Sequence, residues 1–155
     1  MLVLTFQIGA DRLALDIRRV HEVVPRVQLQ RMAGSAAWLA GLFVYRGKVV
    51  PVIDLHALLG DGACPPHLSS RIILVPLPGA DGAPDRLLGL LAAQVADIRD
   101  IRPPALPPPA GRGGDQPDLG VTLVEAGGIL HLLDLDRLLP DPVKRFVTAL
   151  PPPAS

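Results

Sequence analysis

Short stretches of the chain alternate between apolar and polar residues with a period of two. Residues 2–8 place Leu, Leu, Phe and Ile at every second position, which predicts a half-buried β-strand. The turn at residues 9–11 leads into residues 13–17, where the same alternation predicts a return strand. Residues 41–46 and 48–53 predict a second hairpin. The chain is therefore predicted to consist mainly of short antiparallel strands.

The segments between these strands carry signals of short helices. Asp16 is predicted to cap a helix that ends at Pro25. The apolar residues of this helix share one face and are Val20, Val23 and Val24. Residues 27–32 alternate again, and residues 36–40 predict a short helical turn.

An internal repeat indicates how the strands are arranged. The apolar segment that ends in Asp54 recurs 80 positions later, where it ends in Asp134, and each aspartate is predicted to cap a short helical turn. At an offset of 75 positions, residues 13–15 resemble residues 88–90. We infer an all-β fold with a few short helices, built as two small five-stranded barrels around a shared apolar core.

Two irregular segments interrupt this plan. Residues 61–70 form a polar connector, and residues 103–118, with six prolines, are predicted to be a long mobile loop. Residues 143–150 are predicted to form a final short helix. We therefore expect one domain at residues 1–142, followed by a short helix and a proline-rich tail at residues 143–155.

Composition and charge exclude several classes of protein. The 15 basic and 15 acidic side chains cancel, and aromatic residues make up only 3% of the chain, which argues against nucleic-acid binding. The longest apolar stretch, residues 36–45, has about half the length of a membrane span. The lone Cys64 suits a reducing compartment. We expect a cytoplasmic protein that binds no nucleic acid and does not insert into a membrane.

The sequence contains no arrangement typical of a catalytic or metal site. Cys64 and His67 lie three positions apart, but no second pair completes a zinc site. Asp54 and Asp134 resemble a pair of catalytic carboxylates, yet their position at the start of leucine-rich turns favours helix capping. The sequence therefore predicts a protein that is not an enzyme and needs no metal or cofactor.

Arg46 is the most informative charged residue. It lies between an apolar strand and Gly47, so its side chain must project from the end of a hairpin. Two interpretations are open, a solvated turn arginine or a contact with a partner protein. Pro51 cannot donate to a sheet, which indicates an edge position where another chain can dock.

Residues 38–55, with the sequence WLAGLFVYRGKVVPVIDL, resemble the signature of CheW-like domains, the scaffolds of bacterial chemosensory arrays. The opening strands at residues 4–23 and the closing segment at residues 129–139 are also similar to this family. The resemblance extends from about residue 2 to about residue 142. It implies two intertwined five-stranded barrels without catalytic activity.

Family members bridge transmembrane chemoreceptors to a histidine kinase. The resemblance therefore implies two partners, the cytoplasmic tip of methyl-accepting chemoreceptors in a groove between the barrels and the regulatory domain of a CheA-type kinase at the barrel ends. It also implies recruitment from the cytoplasm to receptor arrays at the membrane. The residues at family contact positions are Val20, Gly41, Arg46, Gly47 and Ile72.

Tyr45 departs from the family pattern, in which leucine is commoner before the Arg–Gly pair. The Tyr–Arg–Gly form is similar to coupling proteins of surface-sensing, Wsp-type arrays, whose output is a diguanylate cyclase rather than a flagellar motor. An adaptor of such a pathway is therefore a second hypothesis for the function. A small-barrel nucleic-acid-binding module and an enzyme with an unrecognised site are two more, and the charge, composition and motifs described above disfavour both.

Overall fold

The computed structural model describes residues 1–60, 62–65, 70–78, 85–101, 121–125, 128–139 and 141–149. The strands within these residues are β1 (Leu2–Ile8), β2 (Asp11–Asp16), β3 (Glu22–Pro25), β4 (Leu39–Tyr45), β5 (Lys48–Asp54), β6 (Arg71–Leu77), β7 (Arg86–Ala92), β8 (Ile98–Asp100), β9 (Val121–Glu125) and β10 (Gly128–Leu132). The helices are a 3-10 turn (Ile17–Arg19), α1 (Leu55–Leu58), α2 (Leu135–Leu138) and α3 (Asp141–Ala149). The predicted all-β class is confirmed, whereas the loop at 103–118 lies outside the described residues.

The strands form two five-stranded sheets. The first sheet has the order β8-β1-β2-β10-β9, and the second has the order β3-β6-β7-β5-β4. Each sheet thus combines strands from both halves of the chain. Within each sheet one pair is parallel, β2 with β10 and β5 with β7, and the other pairs are antiparallel. The predicted intertwining is confirmed, and neither half completes a sheet alone.

The sequence repeat corresponds to a structural duplication. In the first sheet Leu132 lies opposite Ala14, and in the second sheet Val52 lies opposite Gly89. These two pairs are related by the offsets of 80 and 75 positions that the sequence shows. Because register decides which face each side chain occupies, a shared register means that both sheets bury equivalent positions.

Several strands are buried on both faces, because the described residues form three apolar clusters. Along β6, Ile73 and Val75 belong to the largest cluster, which combines residues of both sheets with α2 and α3. Ile72 and Leu74 point the other way, into a second cluster that the second sheet forms with Cys64 and Ala93. A third cluster lies within the first sheet. This explains the continuous apolar run of residues 72–75, since a strand covered on both sides needs no polar face.

The predicted helix from Asp16 to Pro25 is wrong. Asp16 does cap a helix, but only the 3-10 turn Ile17–Arg19 forms. Val23 and Val24 belong to β3, in which Val23 lies opposite Ile73. The spacing of these valines is compatible with a helix as well as with a strand. The pairing of β3 with β6 selects the strand.

The segment after β3 also differs from its prediction. Residues 27–32 form no strand of their own; only Gln30 bridges to Leu42, through backbone bonds of 2.8 and 2.9 Å. The helical turn predicted at residues 36–40 shrinks to a single turn in which Leu39 N–H donates to the Ala36 carbonyl, because Leu39 and Ala40 already belong to β4.

The final helix α3 packs on the shared core through Val143 and Val147, and Phe146 meets Trp38 edge to face with ring centroids 6.1 Å apart. The division of the chain at residue 142 stays a prediction. In the part of the chain that the structure describes, no helix is long and apolar enough to cross a membrane.

Candidate protein-interaction surface

The hairpin between β4 and β5 turns through only two residues, Arg46 and Gly47, since Tyr45 lies opposite Lys48. Both turn residues have positive φ, 48° and 79°. Two-residue hairpin turns of this kind match the twist of the strands and favour asparagine or glycine. Gly47 adopts this conformation freely, but the Cβ of Arg46 makes it unfavourable there by roughly 1–2 kcal/mol. Strain of this kind is typical of functional positions.

The Arg46 side chain is 73% exposed, yet two neighbouring residues hold it in position. Its guanidinium lies over the ring of Tyr45, with 5.2 Å between Cζ and the ring centroid. One terminal nitrogen is 3.8 Å from Oε2 of Glu22. The hydroxyl of Tyr45 donates a hydrogen bond to the same Glu22 oxygen. Arg46 is therefore held by a ring and a carboxylate while its surface stays open to solvent.

Aromatic packing fixes the ring of Tyr45 in turn. Its neighbours His21 and Phe43 both meet it edge to face, at centroid distances of 6.1 and 6.4 Å. His21 is itself held to β6, because its backbone N–H donates to the Leu74 carbonyl at 2.7 Å. Edge-to-face contacts of this kind stabilise a fixed ring orientation. The ring beneath Arg46 is therefore held by aromatic contacts with two residues.

Two exposed apolar side chains lie next to this tip. Val44 and Val49 are directly opposite each other in the β4–β5 hairpin and are 69% and 45% exposed. The β9–β10 hairpin of the first sheet presents Val124 opposite Ile129, with exposures of 68% and 56%. The two pairs are separated by 80 positions in the sequence. The duplication thus gives each sheet an outward apolar pair on its outer hairpin, where the side chains are available for contact with a partner.

The residues predicted as contacts are distributed over different environments. Only Arg46 and Gly47 share the exposed tip. Val20 is half-buried, ends the 3-10 turn and packs on the shared core. Gly41 is buried with φ of 151°, and Ile72 is completely buried inside the second sheet. Gly41 and Ile72 are too buried to contact a partner directly. They can affect partner binding only through the packing of the second sheet.

Sequence reasoning missed four exposed apolar residues and one acidic residue. Aligning the two repeats at the offset of 80 reveals that Val44 and Val49 recur as Val124 and Ile129, so this signal was present in the sequence. No local pattern points to Glu22, because its approach to Tyr45 joins positions 23 residues apart.

A cavity of about 470 Å³ lies beneath residues 26–37, at the end of β4 and β5 far from the Arg46–Gly47 turn, with Asp54 and Cys64 in its lining. Asp54 accepts hydrogen bonds from the backbone N–H groups of His56, Ala57 and Cys64, so both oxygens of its carboxylate are engaged. Burial raises the pKa of the Cys64 thiol, which therefore stays protonated at neutral pH. In the described part of the chain, no group of three or more His, Cys, Asp or Glu is arranged to hold a metal ion.

The fold places this chain in the class of duplicated all-β domains built from two five-stranded sheets. The sequence model of the CheW-like domain family matches residues 2–143. The chain therefore belongs to the CheW-like domain family, as the resemblance at residues 38–55 predicted.

Individual relatives are similar along most of their length. The chemotaxis protein CheW of Rhizobium meliloti (strain 1021) is 29% identical over 143 residues, which cover 89% of this chain and 86% of that protein. Protein FrzA of Myxococcus xanthus is 30% identical over 151 residues, covering 92% of this chain and 87% of that protein. The crystal structure of the scaffolding protein TtCheW from Thermoanaerobacter tengcongensis superimposes with a TM-score of 0.74 at 27% identity, covering 86% of this chain and 84% of that chain.

Proposed function

We propose that this chain is a non-catalytic adaptor that couples methyl-accepting chemoreceptors to a CheA-type histidine kinase in a chemosensory array. Membership of the CheW-like family supports this proposal, as do a relative named chemotaxis protein CheW and a structural match described as a scaffolding protein. We place the adaptor in the cytoplasm, from which it is recruited to the membrane by the receptors.

The observation that carries the proposal is the tip of the β4–β5 hairpin. Arg46 keeps a strained backbone, a fixed aromatic support and an exposed guanidinium, and Val44 and Val49 add apolar surface beside it. Arginine, with its planar and forked set of donors, and tyrosine are among the residues enriched in interface hot spots. We assign this tip to the regulatory domain of the kinase.

The remaining predicted contact residues have supporting roles in this proposal. Gly41 and Ile72 shape the second sheet from inside, and Val20 fixes the approach to β3. Val124 and Ile129 provide an equivalent apolar pair on the first sheet, so one chain has two separate faces for neighbours in the array.

The binding test uses the full chain and the full-length CheA-type kinase of the same cell. Arg46→Ala is expected to weaken binding by about 1–3 kcal/mol, since truncated anchors at interfaces cost this much. Arg46→Lys is expected to restore only part of the affinity, because an ammonium lacks the forked geometry. Arg31→Ala serves as the matched control, since Arg31 is also exposed but lies in the segment before β4. Unchanged kinase binding by Arg46→Ala, measured by titration calorimetry, overturns the assignment of the tip.

A second experiment tests coupling itself. Membranes that contain the chemoreceptors are mixed with the kinase and sedimented with and without this chain. The adaptor proposal requires that the chain increases the amount of kinase in the receptor pellet. Equal sedimentation of the kinase in both samples contradicts it.

A further inference from the structure

The chain passes between the two sheets at two crossovers that the duplication makes equivalent. The first crossover, residues 17–21, leads from β2 in the first sheet to β3 in the second sheet. The second crossover, residues 93–97, leads from β7 in the second sheet to β8 in the first sheet. The offset of 75 positions aligns β2 with β7 and β3 with β8. The two crossovers can therefore be compared position by position.

A buried histidine holds the second crossover. His56 of α1 is only 2% exposed, and its Nε2 accepts a hydrogen bond of 3.2 Å from the N–H of Ala93, which is also buried. The pairing of β7 with β5 ends at Leu91 and its pairing with β6 ends at Ala92, so the imidazole ring takes the place of a neighbouring strand for this donor. The carbonyl of Ala93 accepts a hydrogen bond of 3.3 Å from the N–H of Gln7 in β1. Since a buried donor without an acceptor is costly, His56 stabilises the position of the crossover between the two sheets.

The backbone of the second crossover is strained. Gln94 has a positive φ of 49°, which is unfavourable for a residue with a Cβ and persists only where the surroundings fix it. Two further backbone bonds lie on the other side of this residue. The N–H of Ala96 donates to the Thr5 carbonyl at 3.1 Å, and the N–H of Thr5 donates to the Asp97 carbonyl at 2.9 Å. The strained residue is therefore held by hydrogen bonds on both sides.

The first crossover is held more weakly. Its 3-10 turn, Ile17–Arg19, contains no buried residue, and Ile17 and Val20 pack on the shared core only as half-buried residues. The position in α2 that corresponds to His56, at the offset of 80, is Asp136. Its carboxylate lies 3.8 Å from Nη2 of Arg19, and the two side chains are 72% and 37% exposed. The first crossover thus has an exposed ion pair where the second has a buried imidazole, and exposed pairs contribute little to stability.

We propose that the two crossovers form a rigid and a mobile connection between the sheets: His56 fixes the second crossover, and the first crossover opens locally when the Arg19–Asp136 pair breaks. The opening is confined to residues 17–20, because the N–H of His21 donates to the Leu74 carbonyl in β6 at 2.7 Å and ends the moving segment. The shared core therefore stays intact. Val20, a predicted contact residue, lies in the mobile crossover, whereas the rigid crossover contains no predicted contact residue. The inference concerns the free chain and is independent of the proposed function.

Amide hydrogen exchange of the full chain, followed by NMR, tests the difference between the crossovers. The N–H of Val20 donates to the Ile17 carbonyl at 3.1 Å and reports on the first crossover, whereas the N–H of Gln7 reports on the second. Val20 is expected to exchange about 100-fold faster than Gln7, at a rate that changes little with low concentrations of urea, because local opening exposes little surface. Equal rates with the same dependence on urea at the two amides overturn the inference.

The role of the ion pair is tested by Asp136→Asn. Exchange at Val20 is expected to become about two- to fivefold faster, the range that corresponds to breaking an exposed ion pair, while exchange at Gln7 and His21 stays unchanged. Asp85→Asn is the matched control, since Asp85 is also exposed but lies before β7, and it is expected to leave Val20 unchanged. If Asp136→Asn does not affect Val20, or accelerates His21 as much as Val20, the local opening is refuted.

The role of His56 is tested by two substitutions. His56→Leu removes the acceptor, so exchange at Gln7 and Ala96 is expected to become about 10- to 100-fold faster relative to the amides of the β6–β7 ladder. His56→Gln offers a side-chain oxygen as acceptor and is expected to recover part of this protection. If both variants accelerate the crossover and the β6–β7 ladder equally, His56 contributes only to global stability and its role at the crossover is refuted.

Discussion

Tyr45 and Glu22 lie on the two outermost strands of the second sheet, β4 and β3, and the Tyr45 hydroxyl donates a hydrogen bond to the Glu22 carboxylate. The opposite edges of the sheet therefore meet. The backbone bonds between Gln30 and Leu42 join the same two regions farther along, since Gln30 follows β3 and Leu42 lies in β4. The sheet is curled enough for its two edges to be joined at these points, although β3 and β4 form no ladder with each other in the described residues.

This closure predicts the effect of a substitution at Gly41. The residue has φ of 151°, and an added Cβ would lie 2.7 Å from Leu29 Cβ and 2.8 Å from the Gln30 carbonyl oxygen. Gly41→Ala is expected to lower the free energy of unfolding by about 2–4 kcal/mol, because it combines backbone strain with a clash against the closing segment. Urea unfolding measures this loss.

Gly34→Ala is the matched control for the Gly41 prediction. Gly34 also has positive φ, 73°, but nothing lies within 4 Å of its Cβ position. Its substitution is expected to cost only about 1 kcal/mol, since the strain acts without a clash. Equal losses in the two variants would show that the segment at Gln30 does not close the sheet tightly.

The sequence predicts those parts of the fold that depend on local signals. The period-two alternation locates β1 and β2, and the aspartate caps of α1 and α2 follow from residue type and spacing alone. Val23 and Val24 of β3 are different, because together with Val20 they also fit one face of a helix. Only the long-range pairing of Val23 with Ile73 determines their strand conformation.

The candidate site likewise has one part that the sequence predicts and one part that it does not. A charged residue before Gly47 at a hairpin end identifies Arg46 from the sequence. The contact of Tyr45 with Glu22 depends on how far the whole sheet curls, and no local pattern records that curvature. The network around Arg46 was therefore out of reach of sequence reasoning, although the arginine itself was not.

Replacing Arg46 by asparagine tests whether this position is kept for function at the expense of stability. Asparagine tolerates φ of 48° better than arginine, so Arg46→Asn is expected to raise the free energy of unfolding by about 0.5 kcal/mol. Kinase binding is expected to fall as in Arg46→Ala. A loss of stability larger than about 1 kcal/mol, which exceeds the usual effect of a surface substitution, would mean that Arg46 is mainly structural.

The duplicated helix caps offer an internal comparison. Asp54 is only 7% exposed and accepts three backbone hydrogen bonds, whereas the Asp134 side chain is about half exposed and accepts one, from the N–H of Asp136. Asp54→Ala is expected to cost about 3 kcal/mol, because it leaves buried donors without partners. Asp134→Ala is expected to cost about 1 kcal/mol, the usual value of an exposed cap. Equal losses in urea unfolding would contradict the different burial of the two sites.

The carboxylate of Asp16 predicts a dependence of stability on pH. The side chain of Arg18 donates hydrogen bonds to it, from Nη2 at 2.7 Å and from Nε at 3.1 Å, and this holds the pKa of Asp16 below its ordinary value of 3.8. A carboxyl group whose pKa is lower in the folded state stabilises that state fully above the ordinary value and loses the effect as the pH falls through the lowered one. Asp16→Asn is therefore expected to be less stable than the wild type near neutral pH, and the difference is expected to shrink as the pH falls below 3.8. Urea unfolding of both proteins across this range measures the effect, with Arg18→Gln as a second variant that removes the same hydrogen bonds. A difference in stability that stays constant with pH would show that Asp16 acts only as a neutral helix cap.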